Sequence, residues 1–201
     1  MNELYECIRI ETRNGWQTLE EAGLGLGFLD LETTGYCPYT QEVCELAFIT
    51  EDGAEHHMLV QPTRLGNASE EALRVNGYDS GLWYREGVSS EYAVKELHQL
   101  TKDRVIVCQN PLFDLEFTRY WFYRFGLSKN WFYKPLDTGT MAFTISGGSF
   151  PRQTTINKIL GTSCDRPHRA LDDARALKEN FDKMLDEAVT LSTMTSDNFC
   201  F

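Results

Sequence analysis

Long hydrophobic runs are missing from this 201-residue chain, and so is any surplus of positive charge. No uncharged apolar stretch approaches the roughly 18 residues that a membrane-spanning helix needs. The N-terminus, MNELYECIRIE, is acidic and lacks the apolar centre of a secretory signal. Nineteen Lys and Arg stand against 30 Asp and Glu, a net charge of −11. That balance argues against a broad basic surface coating duplex nucleic acid, and against a polybasic membrane-surface binder. It leaves nucleic acid open as a substrate, because a carboxylate-rich metal site is itself negative. Paired cysteines are missing too. Six are present, with no C-x-x-C and no metal-ligand spacing, and Cys44 and Cys108 fall in apolar stretches. Reduced, packed thiols in a cytoplasmic protein are the reading that follows. Low-complexity tracts are absent, and 42% hydrophobic residues suffice for a real core.

What is present reads as one α/β domain. Residues 24–31 form a short apolar run bounded by glycine, which suits a buried strand. Residues 43–50 and 56–62, joined by Asp52-Gly53, read as a hairpin. From Ser69 the pattern turns helical as far as about residue 100. Residues 104–109 form another buried strand, and Asn110-Pro111 opens a helix to about Phe125. Residues 131–137 read as a strand ending in Asp137, followed by helices near 138–145, 154–160 and 170–188. Three strands and then alternating helix and strand predict a mixed sheet. Gly23, Gly25 and Gly27 imitate a phosphate loop, but they lie before and within a strand. A dinucleotide fingerprint must follow the strand and open a helix. Close packing over the sheet explains them better.

The chemistry sits at strand ends. Asp30 and Glu32, two residues apart, point to the same side at the carboxyl end of the first strand, where open α/β sheets bind ligands. Two like charges there are costly without a cation between them. Asp114 falls in the first turn of the next helix, beyond another strand end, where it could converge on the pair or merely complement the helix dipole. His168 and Asp173 would diverge on a continuous helix. They meet only if His168 lies on the entering loop, as Pro167 before it favours. Asp172 points away and reads as a helix-start acid. Hard oxygen ligands and one histidine select Mg²⁺ or Mn²⁺ over zinc. Four acids can hold two such ions for an in-line attack on phosphate, with His168 taking the proton of the attacking water.

Three motifs now stand in order: FLDLETTG (28–35), NPLFDLEF (110–117) and HRALDDA (168–174). They resemble the exonuclease motifs of the DnaQ-like, DEDDh 3′–5′ exonucleases over about residues 24–188. The resemblance implies an RNase H-like fold, with a five-stranded mixed sheet (three antiparallel strands, then two parallel) flanked by helices. It implies Asp30, Glu32, Asp114 and Asp173 as ligands of two Mg²⁺ or Mn²⁺ ions, and His168 as general base. RVNGY (74–78) resembles the segment beside the terminal nucleotide, so Asn76 and Gly77 are expected to line the substrate pocket. Thr33 and Thr34 are expected at the 3′ end, and Phe113 in the core. The domain should span 23–190, with residues 1–22 packed on it as an extension and 191–201 as a tail.

The function this implies is release of nucleoside 5′-monophosphates from single-stranded 3′ ends, DNA favoured over RNA. An exoribonuclease or oligoribonuclease acting on RNA ends, or a non-catalytic scaffold, is the alternative. Any polymerase, repair or RNA-processing partner would act in trans. Two aromatic clusters, 120–123 and 131–133, interleave with Arg119, Arg124, Lys129 and Lys134. Contiguous aromatics cover every face of a helix, so most are expected in the core and a minority are free to stack bases. His56-His57 reads as simple alternation on a strand.

Overall fold

The computed structural model describes residues 3–13 and 15–196. The N-terminal extension forms a 3₁₀ turn (Glu3–Cys7) and a small hairpin, β1 (Arg9–Thr12) with β2 (Gly15–Thr18). Strands β3 (Gly25–Thr33), β4 (Val43–Thr50) and β5 (Glu55–Leu59) follow as an antiparallel meander. Helices α1 (Glu70–Val75), α2 (Ser80–Glu86) and α3 (Ser90–Thr101) are each opened by a side chain that accepts from the first turn, Ser69, Asp79 and Ser89. Then come β6 (Arg104–Cys108), α4 (Pro111–Arg124), β7 (Leu136–Asp137), α5 (Thr138–Met141), α6 (Gln153–Leu160) and α7 (Ala170–Ser196). The sheet runs β5-β4-β3-β6-β7, with β6 and β7 parallel to β3. That is the expected mixed sheet, three antiparallel strands and then two parallel.

β3 lies at its centre, buried on both faces. Leu29 and Leu31 pack with α3 and α4, while Leu26 and Phe28 pack with α7. Gly27 is glycine for a steric reason: a Cβ there would lie 2.1 Å from the Phe48 ring. The packing reading holds for Gly27, whereas Gly23 takes a left-handed φ of 67° in open space. On the α7 face, Tyr5 of the extension tilts against Phe28 and Phe181, at 6.5 and 6.2 Å between ring centroids. Its hydroxyl donates to Asp182 at 2.5 Å and accepts from Lys178 at 2.8 Å.

Three elements differ from the sequence reading. The strand expected over 131–137 shrinks to Leu136–Asp137. Trp131 turns into the core, and Pro135 has no N–H for the ladder. A separate helix, α2, fits between the two expected helical stretches because Asp79 caps it and Trp83 is buried beneath it. Finally, α7 continues to Ser196, eight residues past its expected end. It takes up the first part of the expected tail, and 197–201 lie outside the described residues.

Candidate active site

Alternation along β3 sets Asp30 and Glu32 on the same face as Phe28, which meets Phe181 of α7 edge-on at 5.4 Å. Both carboxylates therefore face the N-terminal end of α7. Asp114 comes from α4, whose start is fixed by Asn110 in a left-handed conformation (φ 61°) and by Pro111. It is buried and accepts the Leu31 N–H at 3.0 Å, so it reaches β3 itself. The dipole reading of this acid falls short of what it does.

His168 sits on the loop before α7, also left-handed, at φ 65°. Asp173, in the first turn, accepts the His168 N–H at 2.6 Å and so ties the loop to the helix. The two residues do meet. Glu32, His168 and Asp173 each offer a ligand atom, all within 4.8 Å of one another.

This placement is costly. Burial, then the charges of Asp114, Asp173, Glu32 and Glu45, holds the Asp30 carboxyl well above the ordinary carboxylate range. Burial and the charges of Asp173, Glu45 and Asp114 push Glu32 up to about 8, against the pull of Arg169. Burial takes Asp114 to about 8 despite the Leu31 N–H, and it raises Asp173 against the Cys164 thiol and the His168 N–H. Four carboxylates repel one another here, with a single guanidinium easing Glu32. Such a donor set fits hard divalent cations, which would relieve the repulsion where protein groups do not.

Behind the site lies a frame that the sequence did not announce. Glu45 on β4 pairs with Glu32 across the sheet and is fully buried. Arg169 reaches it through Nε at 3.0 Å and Nη2 at 3.2 Å, and the His57 Nε2 lies 2.7 Å from Glu45 Oε1. Arg169 also covers the Trp83 ring at 5.7 Å. The residue after His168 is thus locked to the sheet, and His57 has a partner that simple alternation did not foresee. Asp172 does stand in the first turn of α7, as read, with a further role. It is buried, takes Arg166 Nε at 2.7 Å, and so clamps the same loop. Gln153 of α6 donates to Asp173 Oδ1 at 3.3 Å.

Around the carboxylates is a cleft of about 300 Å³. Thr33 and Asn76 line it, whereas Thr34 and Gly77 do not. Thr34 Oγ1 accepts the Glu42 N–H at 2.9 Å, and Gly77 follows the end of α1 at φ 66°. The Asn76 amide donates to the Thr33 carbonyl at 3.1 Å, while its Oδ1 finds no partner among the described residues. Phe113 is not simply core: it lines the cleft with exposed Tyr36, ring centroids 6.4 Å apart.

With that geometry in place, likeness to known proteins becomes informative. The sequence pattern of the RNase T family, described as exonuclease, matches residues 28–181. This chain belongs to that family of DnaQ-like exonucleases. The PolC-type DNA polymerase III of Thermotoga maritima is 30% identical over 158 residues, covering 76% of this chain and 11% of that protein. This chain thus spans only a small part of its polymerase relatives. Ribonuclease T of Histophilus somni is 29% identical over 183 residues, covering 79% of this chain and 82% of that one. Escherichia coli exonuclease I, solved with a dT13 oligonucleotide, superposes with a TM-score of 0.68 over 86% of this chain and 44% of its own, at 20% identity. That likeness shows the shared fold.

Proposed function

We propose that this exonuclease-family protein hydrolyses phosphodiester bonds stepwise from the 3′ end of single-stranded nucleic acid, releasing nucleoside 5′-monophosphates. The convergence of Asp30, Glu32, Asp114 and Asp173 with His168 in one cleft carries the reading. The four carboxylates would hold two Mg²⁺ or Mn²⁺ ions, which supply charge neutralisation at the scissile phosphate and polarise the attacking water.

The chain's own groups do the rest. His168 is exposed at the mouth of the cleft, so its imidazole can take the water's proton and pass it to solvent. The Asp173 bond to its backbone and the Arg169–Glu45 pair beside it fix where that ring stands. Tyr36 and Phe113 offer aromatic faces to the terminal base. The unpartnered Asn76 Oδ1, beside Thr33, is the acceptor suited to the sugar 3′-hydroxyl.

DNA ends are the favoured substrate. RNA ends form a second reading, supported by the Ribonuclease T relative that this chain covers over most of its length. The polymerase relatives make a replicative polymerase a reasonable partner. The test is a 5′-labelled single strand of DNA or RNA with Mg²⁺ or Mn²⁺, beside an Asp173→Asn control. A ladder shortening from the 3′ end, lost in EDTA and in the control, is expected. Internal cuts as first products would overturn the reading. No turnover on either polymer would favour a silent scaffold.

A further inference from the structure

A second groove, of about 360 Å³, runs along the flank of α4 turned away from Asp114. On the helix, Leu112 and Arg119 stand roughly 140–160° around from Asp114. The opposite wall is the segment leading to β7, with Lys129, Trp131 and Tyr133. Leu112 and Tyr133 are 81% and 62% exposed, an unusual degree for side chains that line a groove.

Cations gather at this groove. Arg64, Arg124, Arg166, Arg169 and Arg175 each pair with an acid. Arg119, Lys129 and Lys134 have no acidic partner among the described residues, although Glu116 also lines the groove. Lys129 and Lys134 instead lie 5.3 Å from the ring centroids of Trp131 and Tyr133. Burial and then the Arg119 charge push the Lys129 ammonium below its ordinary pKa. Three cations gathered beside exposed aromatic rings, in a chain with eleven surplus acids, suit a polyanion. The groove also joins the catalytic cleft along the chain. Asn110 lines the cleft, and Pro111 and Leu112, the next residues, line the groove.

We propose that this groove carries the single strand upstream of the terminal nucleotide, with phosphates on Arg119, Lys129 and Lys134 and a base stacked on Tyr133. The inference rests on the exonuclease reading above. It assigns to the strand a path outside the five-residue catalytic set. Exposed cations plus an aromatic face are how single strands are held without sequence preference.

The test compares a dinucleotide with a twelve-nucleotide strand on three proteins: wild type, the R119E/K129E/K134E triple variant, and Tyr133→Ala. The triple variant should raise KM for the long strand about tenfold at low salt and lower the slope of log KM against log salt by about two. Tyr133→Ala, a milder surface change, should raise the same KM about fivefold. Both variants should cleave the dinucleotide as wild type does. Equal losses on both lengths, or none on either, overturn the proposal. If wild type cleaves neither, the exonuclease reading has failed on its own. Fluorescence anisotropy of the labelled strand then still decides whether the groove binds it, since binding needs no turnover. A polyglutamate peptide that binds wild type but not the triple variant, with strand binding unchanged, would give the groove to an acidic protein partner instead.

Discussion

Asp30 stands where burial and like charge oppose folding. Its carboxyl is raised by burial and by four neighbouring acids, so its charge opposes folding whenever no cation is bound. Asp30→Asn should therefore cut turnover by about 10³-fold or more while raising the metal-free Tm by about 4 °C, read by melting in EDTA. Arg169 predicts the reverse. Arg169→Ala leaves buried Glu45 with His57 alone beside it, and should cost about 3 kcal/mol in denaturant titration. It should also lower kcat more than it raises KM, since His168 loses its neighbour's anchor. The five residues that meet in the cleft were legible because metal and proton chemistry dictates such types at strand ends and loop ends. Glu45 with Arg169 was not, because the two lie 124 residues apart and each alone is an unremarkable charge.

At the scale of elements, burial decided most outcomes. β3 was readable from an apolar run that ends in two acids, and it is the central strand. Gly27→Ala should destabilise by about 1–3 kcal/mol, since the Phe48 ring has no room to retreat within a packed sheet. The extension was legible only as an addition. Its Tyr5 bonds to Asp182, nine residues past Asp173 and so about 13 Å further along α7, away from the chemistry. Tyr5→Phe should lower stability by about 1 kcal/mol and leave the rate of 3′-end shortening unchanged. The truncated β7 shows the opposite limit. Aromatic residues at 131–133 have strand propensity, but core packing of Trp131 overrides it.

For the whole molecule, the acidic excess has a pH signature. The carboxylates raised in the fold bind protons that the unfolded chain releases near its ordinary range, about pH 4–4.5. Their contribution to stability is thus fully present below that range and is lost as pH rises through about 8, the folded value for Glu32 and Asp114. Metal-free protein should lose Tm steadily from pH 5 to 8. Added Mg²⁺ or Mn²⁺ should restore most of it, and the gap between the two melting curves should widen with pH. A gap independent of pH would mean the ions bind elsewhere. Among the described residues no helix is long and apolar enough to cross a membrane.

The sequence alone determined the order of strands and helices, the family, and the five residues proposed for the chemistry. Those follow from local periodicity and from residue types that only a few reactions require. The tertiary structure decided the surroundings. It placed Tyr36 and Phe113 at the cleft, and it withdrew Thr34 and Gly77 from it. It also locked the His168 loop through Glu45, and it gathered Arg119, Lys129 and Lys134 about one groove. Each of these depends on contacts between segments far apart in the chain. Only folding brings those segments together, and no local pattern records them.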